Sequence, residues 1–349
     1  MYDVVLLTLE SGEDGPEGCG AGGGCCGSDP AAGRAGCAGS ARVPVLTCAD
    51  ALTARGARVD KVTARSDAEI DAVLARLDGP PRPDGLSWPD EDGKTRLVVA
   101  TASDGQLRAV MRRLVRRYAP PPSRRPADLA ANRTVPDLPP IGLLPLDPAR
   151  PEARPSGPGP TEAGPSAGGP SAGGPSDLVG QLGLPRDPAA VAAAVLDGRV
   201  RRLDLLRNDG GSVTLDGALI GGADDAGRPL AWRGRVEVDD AVLSTGDDPL
   251  LACAIGNAGG YAELAGLRLL ATADPADGVL EVAVAVPVVA RSRWGRQRVR
   301  LEVRRARGRA VAVTPRDTEV PFLDDGVAGD LSRKRSWWIE PGAWAVYDR

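Results

Sequence analysis

Histidine is absent from all 349 residues of the sequence. That absence excludes every mechanism that needs an imidazole base, including Ser-His nucleophile systems, and it excludes zinc sites built from cysteine and histidine. Any proton transfer must therefore fall to aspartate, glutamate, tyrosine, lysine or cysteine side chains.

Long apolar runs and a basic surface are missing as well. No stretch approaches the roughly 18 apolar residues of a membrane-spanning helix. The opening MYDVVLLTLE lacks the basic start and small-residue cleavage site of a secretion signal, so we expect a cytoplasmic protein. The net charge of -4 and the isoelectric point near 5.2 argue against nucleic acid as a partner, because phosphate backbones require a sustained basic face.

Cysteine is present but unevenly placed. Four of the six cysteines fall in the glycine-rich segment GCGAGGGCCGSDPAAGRAGC. Two interpretations stay open, a metal site and reduced thiols in a flexible insert. The segment lacks the Cys-x-x-Cys pairs of zinc and iron–sulfur sites, which favours reduced thiols.

The order of predicted elements divides the chain into two parts. Up to residue 200, apolar strands alternate with helical patterns, which is typical of a Rossmann-like α/β domain with a parallel sheet. From residue 201 to 349, short runs rich in valine, leucine and alanine predict an antiparallel β-sandwich. Two segments of the first domain, about 11–28 and 148–175, are predicted to be disordered inserts.

The stretch VVATASDGQLRAV, residues 98–110, runs from an apolar strand through a Ser-Asp-Gly turn into a helical pattern. Such a turn lets backbone N–H groups close on phosphate oxygens and directs a helix amino terminus toward negative charge. The alternative is an ordinary turn and helix cap.

Several segments occur in the order found in one lipid kinase family. SDPAAGRAG, ASDGQLRAV, GGPSDLVGQLGLP and CAIGNAGGYAELAGLRLLATADPADGVLEVAVA together resemble the diacylglycerol kinase catalytic-domain family. That family is related to sphingosine kinases and more remotely to NAD kinases. The resemblance implies a divergent member that binds ATP between its domains and passes the γ-phosphate to a lipid hydroxyl. It also implies that the segment of about 325–349 returns to the first domain.

The resemblance assigns residues to the nucleotide-binding loops. The implied positions are Asp29, Gly33, Ser103, Asp104, Gly105, Gln106, Ser176 and Asp177. Ser103 and Gln106 stand where the family has glycine and threonine, and Ser176 stands where it has asparagine. A Cβ at position 103 is expected to make the phosphate cradle poorer.

Asp104 and Asp325 are the implied catalytic residues. In its C-terminal segment the family places Asp-Gly-Glu, with the glutamate as general base, whereas this chain has Asp325-Gly326-Val327. A valine cannot accept the proton of the acceptor hydroxyl. The alternative for Asp324 and Asp325 is an exposed pair of loop carboxylates.

Magnesium is the second implied cofactor beside ATP. The resemblance implies a structural Mg²⁺ held by Asp277, with backbone oxygens at Asp274 and Val279, and hard oxygen ligands of this kind suit the ion. The alternative is a plain Asp-Gly hairpin turn.

An arginine-rich segment follows, RSRWGRQRVRLEVRRARGR, with nine arginines in nineteen residues. It could face acidic lipid headgroups, with Trp294 as an interfacial anchor. The alternative, which we favour, is the wet face of an ordinary strand.

The leading hypothesis is therefore a diacylglycerol kinase-like lipid kinase with degenerate motifs and weak or lost activity, acting on a diacylglycerol-like lipid. Its rival is a catalytically inactive pseudokinase that binds lipid or a protein partner. A third hypothesis, an NAD kinase-like enzyme with a soluble substrate, is disfavoured by the lipid-kinase type of match over Cys253–Val284. We also allow for peripheral contact with the inner face of a membrane and for a homodimer.

Overall fold

The structure is a computed structural model. It describes residues 1–10, 30–83, 85–90, 92–127, 129, 132–146, 170–172, 177–258, 262–264, 267–271, 273–291, 297–316 and 319–349. In chain order the elements are β1 (Asp3–Leu9), α1 (Pro30–Ala54), β2 (Arg58–Ala64), α2 (Asp67–Leu74), β3 (Thr95–Thr101), α3 (Asp104–Tyr118), β4 (Pro140–Pro145), β5 (Pro170–Ala172), α4 (Leu178–Gln181), α5 (Pro188–Asp197), β6 (Arg199–Asn208), β7 (Val213–Thr214), β8 (Gly217–Ile220), β9 (Gly234–Val238), β10 (Ala241–Thr245), β11 (Ala252–Gly256), β12 (Ala262–Leu264), β13 (Leu267–Arg268), β14 (Leu280–Arg291), β15 (Gln297–Gly308), β16 (Ala310–Pro315), β17 (Val320–Asp324), β18 (Val327–Leu331) and β19 (Arg335–Asp348). Short 3-10 turns occur at Ala75–Leu77 and Pro122–Arg124.

Strands β1 to β4 form a parallel sheet in the order β2, β1, β3, β4. Successive side chains point to opposite faces, so Val5 and Leu7 pack with α2 and α3, while Val4 and Leu6 pack with α1 and α5. Because helices cover both faces, the middle of each central strand is apolar and buried, from Val4 to Leu7 in β1 and from Leu97 to Ala100 in β3.

Strand β19 joins this parallel sheet to the strands of the second half. Its first part pairs antiparallel with β16, and its last part pairs parallel with β4, while β6 runs antiparallel along its other side. The pairing register with β6 shifts between Glu340 and Trp344, where Gly342 has a φ of +58°. The Pro341-Gly342 pair thus lets one strand serve two neighbours in a single ten-stranded sheet.

A second sheet, in the order β15, β14, β11, β8, β17, β18, is entirely antiparallel. Its inner face packs against β6, β9, β16 and β19 of the first sheet through a buried core that includes Ile255, Val284, Trp337 and Ile339. The predicted fold class is confirmed: helices flank a parallel sheet in the first half, and antiparallel strands form the second.

Helix starts agree with the capping signals in the sequence. Ser66, Ser103 and Asp187 cap α2, α3 and α5 with their side chains, and Gly198 ends α5. Helix α1 extends over 25 residues, from Pro30 to Ala54. Its first half is rich in glycine and alanine and carries no amphipathic period that sequence reasoning could detect.

The predicted insert at 148–175 contains one paired strand. β5 pairs antiparallel with β12, which matches Ala172 with Ala262 and Pro170 with Leu264. The rest of that insert lies outside the described residues, as does the predicted insert at 11–28.

Candidate functional site

The turn between β3 and α3 is closed by two side chains that cap the helix. Ser103 Oγ accepts from the Gln106 N–H at 3.4 Å, and Gln106 Oε1 accepts from the Ala102 N–H at 2.8 Å. This reciprocal arrangement is a form of capping box. The two residues that differ from the family's glycine and threonine therefore stabilise the helix start.

Asp104 connects this turn to a second segment of the chain. Its Oδ2 accepts from the Leu178 N–H at 3.2 Å. The neighbouring Asp177 caps α4 by accepting from the Gly180 N–H, at 3.2 Å, and forms an ion pair with Arg186. The segment that begins at Asp177 thus lies at the amino end of α3.

A third segment, the turn between β17 and β18, reaches the same place. Asp325 and Gly326 have φ angles of +48° and +78° and turn the chain directly into Val327. A methyl group on Gly105 would lie 3.1 Å from Val327 Cγ2. Val327 is 43% exposed, so an apolar side chain borders the helix start where the family has its glutamate.

The Asp325 carboxylate points inward and holds the chain between β7 and β8. Its oxygens accept from the backbone N–H groups of Leu215, Asp216 and Gly217 at 2.8, 2.9 and 3.1 Å. Burial and the neighbouring Asp324 raise the pKa of Asp325 well above its usual value, against the effect of these N–H donors. In this placement the Asp325 carboxylate is held by three backbone donors and stabilises the loop.

Asp324 is the partner of a helix arginine that sequence reasoning missed. Arg108 Nη2 donates to Asp324 Oδ2 at 2.6 Å and to Ser212 Oγ at 2.9 Å, and Arg108 Nε donates to the Val213 carbonyl at 2.8 Å. The other Asp324 oxygen accepts from the Thr214 hydroxyl at 2.6 Å. Burial raises the pKa of Asp324, and Arg108 opposes that shift.

The alternative that Asp324 and Asp325 form an exposed loop pair is wrong, since both are 1% exposed. One signal for the true arrangement existed in the sequence. Arg108 follows Asp104 by four residues, so the two lie on one face of α3, and that face carries the contacts to both other segments. The amino end of α3 is therefore fixed by buried polar contacts.

Comparison with known proteins identifies the type of fold. No family model and no curated protein matches the sequence. Three solved structures from Bacillus anthracis str. Sterne match the whole chain, all described as diacylglycerol kinases, two of them provisionally. The matches have TM-scores of 0.53, 0.55 and 0.56 at 12%, 10% and 12% identity, and cover 97%, 97% and 98% of those chains. The chain has the diacylglycerol kinase fold. At this level of identity the likeness concerns the fold alone.

The carboxylate of the magnesium site that the sequence resemblance implies has other partners in the structure. Asp277 Oδ2 forms an ion pair with Arg307, and Asp277 Oδ1 accepts from the Val279 N–H at 3.0 Å. A guanidinium in contact with the single carboxylate disfavours a cation there, so Asp274, Asp277 and Val279 do not fit Mg²⁺. Among the described residues no group of three or more carboxylate or cysteine side chains is close enough to hold a metal ion.

Within the diacylglycerol kinase fold, the turn at Asp274–Val279 has a structural role. The Gly278 N–H donates to Asp204 Oδ2 at 2.7 Å, and the Gly342 N–H donates to Asp204 Oδ1 at 2.6 Å. Asp204 therefore joins this turn to the irregular part of β19. Burial raises the pKa of the Asp204 carboxyl.

The remaining predicted nucleotide-loop residues are placed differently. Gly33 lies near the start of α1, within the helix. Asp29 and Ser176 lie outside the described residues. The structure thus brings together Ser103, Asp104, Gly105 and Gln106 with the segments beginning at Asp177 and Asp325.

The arginine-rich segment, residues 291–309, forms part of β14 and β15. Arg304 pairs with Glu302 at 2.8 Å, and Arg305 Nε donates to the Leu269 carbonyl at 2.8 Å. Arg307 pairs with Asp277. These contacts agree with the strand-face interpretation, while Trp294 lies outside the described residues. No helix in the described part of the chain is both long and apolar enough to cross a membrane.

Proposed function

We propose that the protein is a diacylglycerol kinase-like lipid kinase of low activity, which binds ATP phosphates at the amino end of α3. One observation carries the proposal. The Ser103–Gln106 turn, the Asp177–Leu178 segment and the Asp325–Val327 turn converge on that helix end, in a chain with the diacylglycerol kinase fold.

The amino end of α3 has the properties that phosphate binding requires. A helix start presents backbone N–H groups and a partial positive charge to an anion. Gly105 lacks a side chain where Val327 comes close, so the turn between β17 and β18 can approach the backbone of the helix start. Asp104 is half-buried at the same helix end, where its side chain provides a carboxylate.

The proposed reaction joins the oxygen of a lipid hydroxyl to the γ-phosphorus and breaks the bond between that phosphorus and the bridging oxygen of ADP. The hydroxyl proton must pass to an acceptor. Val327 cannot take it, and the Asp325 carboxylate is enclosed by backbone donors. The proton therefore passes to Asp104, to solvent or to the transferred phosphate, and the loss of the dedicated base accounts for a low rate.

A second function, lipid or protein binding without catalysis, is favoured by two features. An exposed valine occupies the position next to Gly105, and Arg307 occupies the carboxylate of the implied metal turn. At the first position an apolar side chain stands where a kinase of this fold would use a carboxylate. At the second, the carboxylate is engaged in an ion pair.

Asp104→Asn separates the two functions. An asparagine oxygen can still accept from the Leu178 N–H, so the fold is expected to persist while the charge is lost. Turnover would be followed as ADP release from ATP in the presence of phosphatidylcholine vesicles that contain diacylglycerol. We expect measurable turnover in the natural protein and its loss in the variant. Vesicle binding that is unchanged by the substitution, with no turnover in either protein, would support the binding function instead.

A further inference from the structure

A cavity of about 680 Å³ lies at the amino ends of β3 and β4. Its wall is formed by the loop before β3, the segment that leads into β4, the start of β6 and the end of β19. The lining includes Trp88, Arg96, Arg133, Asp137, Arg202 and Tyr347. A volume of this size accommodates a small organic molecule.

This cavity is separate from the candidate nucleotide site. Arg96 stands near the start of β3, and Ser103 follows its end. At about 3.3 Å per residue the strand separates the two by roughly 20 Å. A ligand in the cavity would therefore occupy the opposite edge of the parallel sheet from the phosphates of ATP.

The charges on one wall are unevenly matched. Arg133 donates through Nη1 to Asp137 Oδ1, and Arg202 Nη2 lies 3.3 Å from Asp137 Oδ2. Two guanidinium groups therefore share one carboxylate. Burial lowers the pKa of Arg202, Asp137 opposes that shift, and repulsion from Arg133 adds to it. Two other carboxylates line the cavity: Asp92 is paired with Lys94, at 2.8 Å, and Asp90 Oδ1 accepts from the Asp92 N–H at 3.3 Å.

The residues that line the cavity also carry buried hydrogen-bond donors without partners. Among the described residues, the buried side-chain atoms without a partner include Trp88 Nε1, Arg96 Nε, and both Nε and Nη2 of Arg133. All four are N–H donors on residues that line the cavity. A buried donor without an acceptor costs about 1–3 kcal/mol, and more when it is charged. These four donors lack acceptors among the described residues, so an oxyanion that reached them would supply the missing hydrogen bonds.

We propose that this cavity is an anion site, which holds a small oxyanion of the carboxylate or phosphate class between Arg133 and Arg202. The planar guanidinium of Arg133 suits two parallel hydrogen bonds to such a group. Arg202 supplies a second charge, and Trp88 supplies a neutral donor and an aromatic wall.

The test is calorimetric titration of the full-length protein with sodium phosphate and, separately, with sodium citrate, at constant ionic strength. Arg133→Gln and Arg202→Gln remove one charge each from the cavity. Arg112→Gln is the matched control. It removes the same charge from α3, where Arg112 forms an exposed ion pair with Asp67 of α2. Circular dichroism shows whether each variant is folded.

We expect saturable binding of at least one of the two anions, weakened about tenfold or more by each cavity substitution and unchanged by the control. Preference for phosphate over citrate would identify a phosphorylated ligand, and the reverse a carboxylic acid. The proposal is overturned if neither anion binds at about 10 mM, which corresponds to a binding free energy near 3 kcal/mol. Binding that survives both folded cavity variants would also overturn it, because the anion would then occupy another site.

Discussion

Replacing Arg108 tests whether a buried ion pair fastens the candidate nucleotide turn to the antiparallel strands. Arg108→Met keeps most of the apolar stem of the side chain and removes the guanidinium. Asp324, 1% exposed on its side chain, then keeps the Thr214 hydroxyl as its hydrogen-bond partner among the described residues, with Arg335 as the remaining nearby positive charge. The Val213 carbonyl and Ser212 hydroxyl lose their donor as well.

The magnitude follows from the burial of the pair. Arg108 and Asp324 side chains are 14% and 1% exposed, and their charged atoms lie 2.6 Å apart. Removing one partner of a buried pair leaves an uncompensated charge and costs about 3–5 kcal/mol. The pKa of Asp324, already raised by burial, rises further without Arg108. The loss of stability is therefore expected to be largest near neutral pH and to shrink as the pH falls through that raised pKa.

The assay is guanidinium unfolding followed by circular dichroism at two pH values. Arg112→Met on the same helix is the matched control, because Arg112 and Asp67 are 44% and 52% exposed and lie 3.3 Å apart. Exposed pairs contribute at most about 1 kcal/mol. Asp324→Asn in the Arg108→Met background is expected to recover part of the loss. The reasoning is refuted if Arg108→Met unfolds at the same denaturant concentration as the control.

Three further predictions concern the site and its surroundings. Val327→Glu places a carboxylate beside Gly105 and should raise ATP-dependent lipid phosphorylation by about 10²- to 10⁴-fold, the contribution of a general base; an unchanged rate would mean that proton removal is not limiting. Burial raises the carboxyl pKa of Asp204, so this group stabilises the folded protein below its unfolded pKa and loses that effect as the pH rises through the folded value. Asp204→Asn should accordingly flatten the pH dependence of unfolding above the ordinary aspartate pKa, which is about 3.9, and a slope that the substitution leaves intact would contradict this assignment. Magnesium chloride up to about 10 mM should leave the thermal midpoint equal to that in sodium chloride of matched ionic strength, since ligand-linked stabilisation requires a site; a rise that Asp277→Asn abolishes would show that Arg307 yields to the ion.

Local features of the site could be predicted from the sequence because neighbouring residues determine them. The apolar run of β3, the cap at Ser103 and the helical period of α3 all lie within one short stretch. The antiparallel second half was predictable for the same reason, since each strand carries its own pattern. The order of motifs indicated which distant segments belong near that turn.

Contacts between distant residues could not be predicted in this way. Arg108 and Asp324 are 216 positions apart. The spacing of Asp104 and Arg108 puts both on one face of α3, but it does not indicate which distant residue Arg108 contacts. Two features decide whether Asp325 faces solvent or the interior. One is its φ of +48°. The other is the set of N–H groups that the fold places beside its carboxylate, those of Leu215, Asp216 and Gly217. The ion pair between Arg307 and Asp277 likewise required the register of β14 and β15.

The most direct test of the central claim is calorimetric titration of the purified protein with ATP, with and without Mg²⁺. The account predicts saturable binding that Asp104→Asn alters and that Arg133→Gln, on the opposite edge of the sheet, leaves unchanged. Absence of binding at millimolar ATP would contradict a phosphate site at the amino end of α3. The diacylglycerol kinase fold would then serve recognition without phosphoryl transfer.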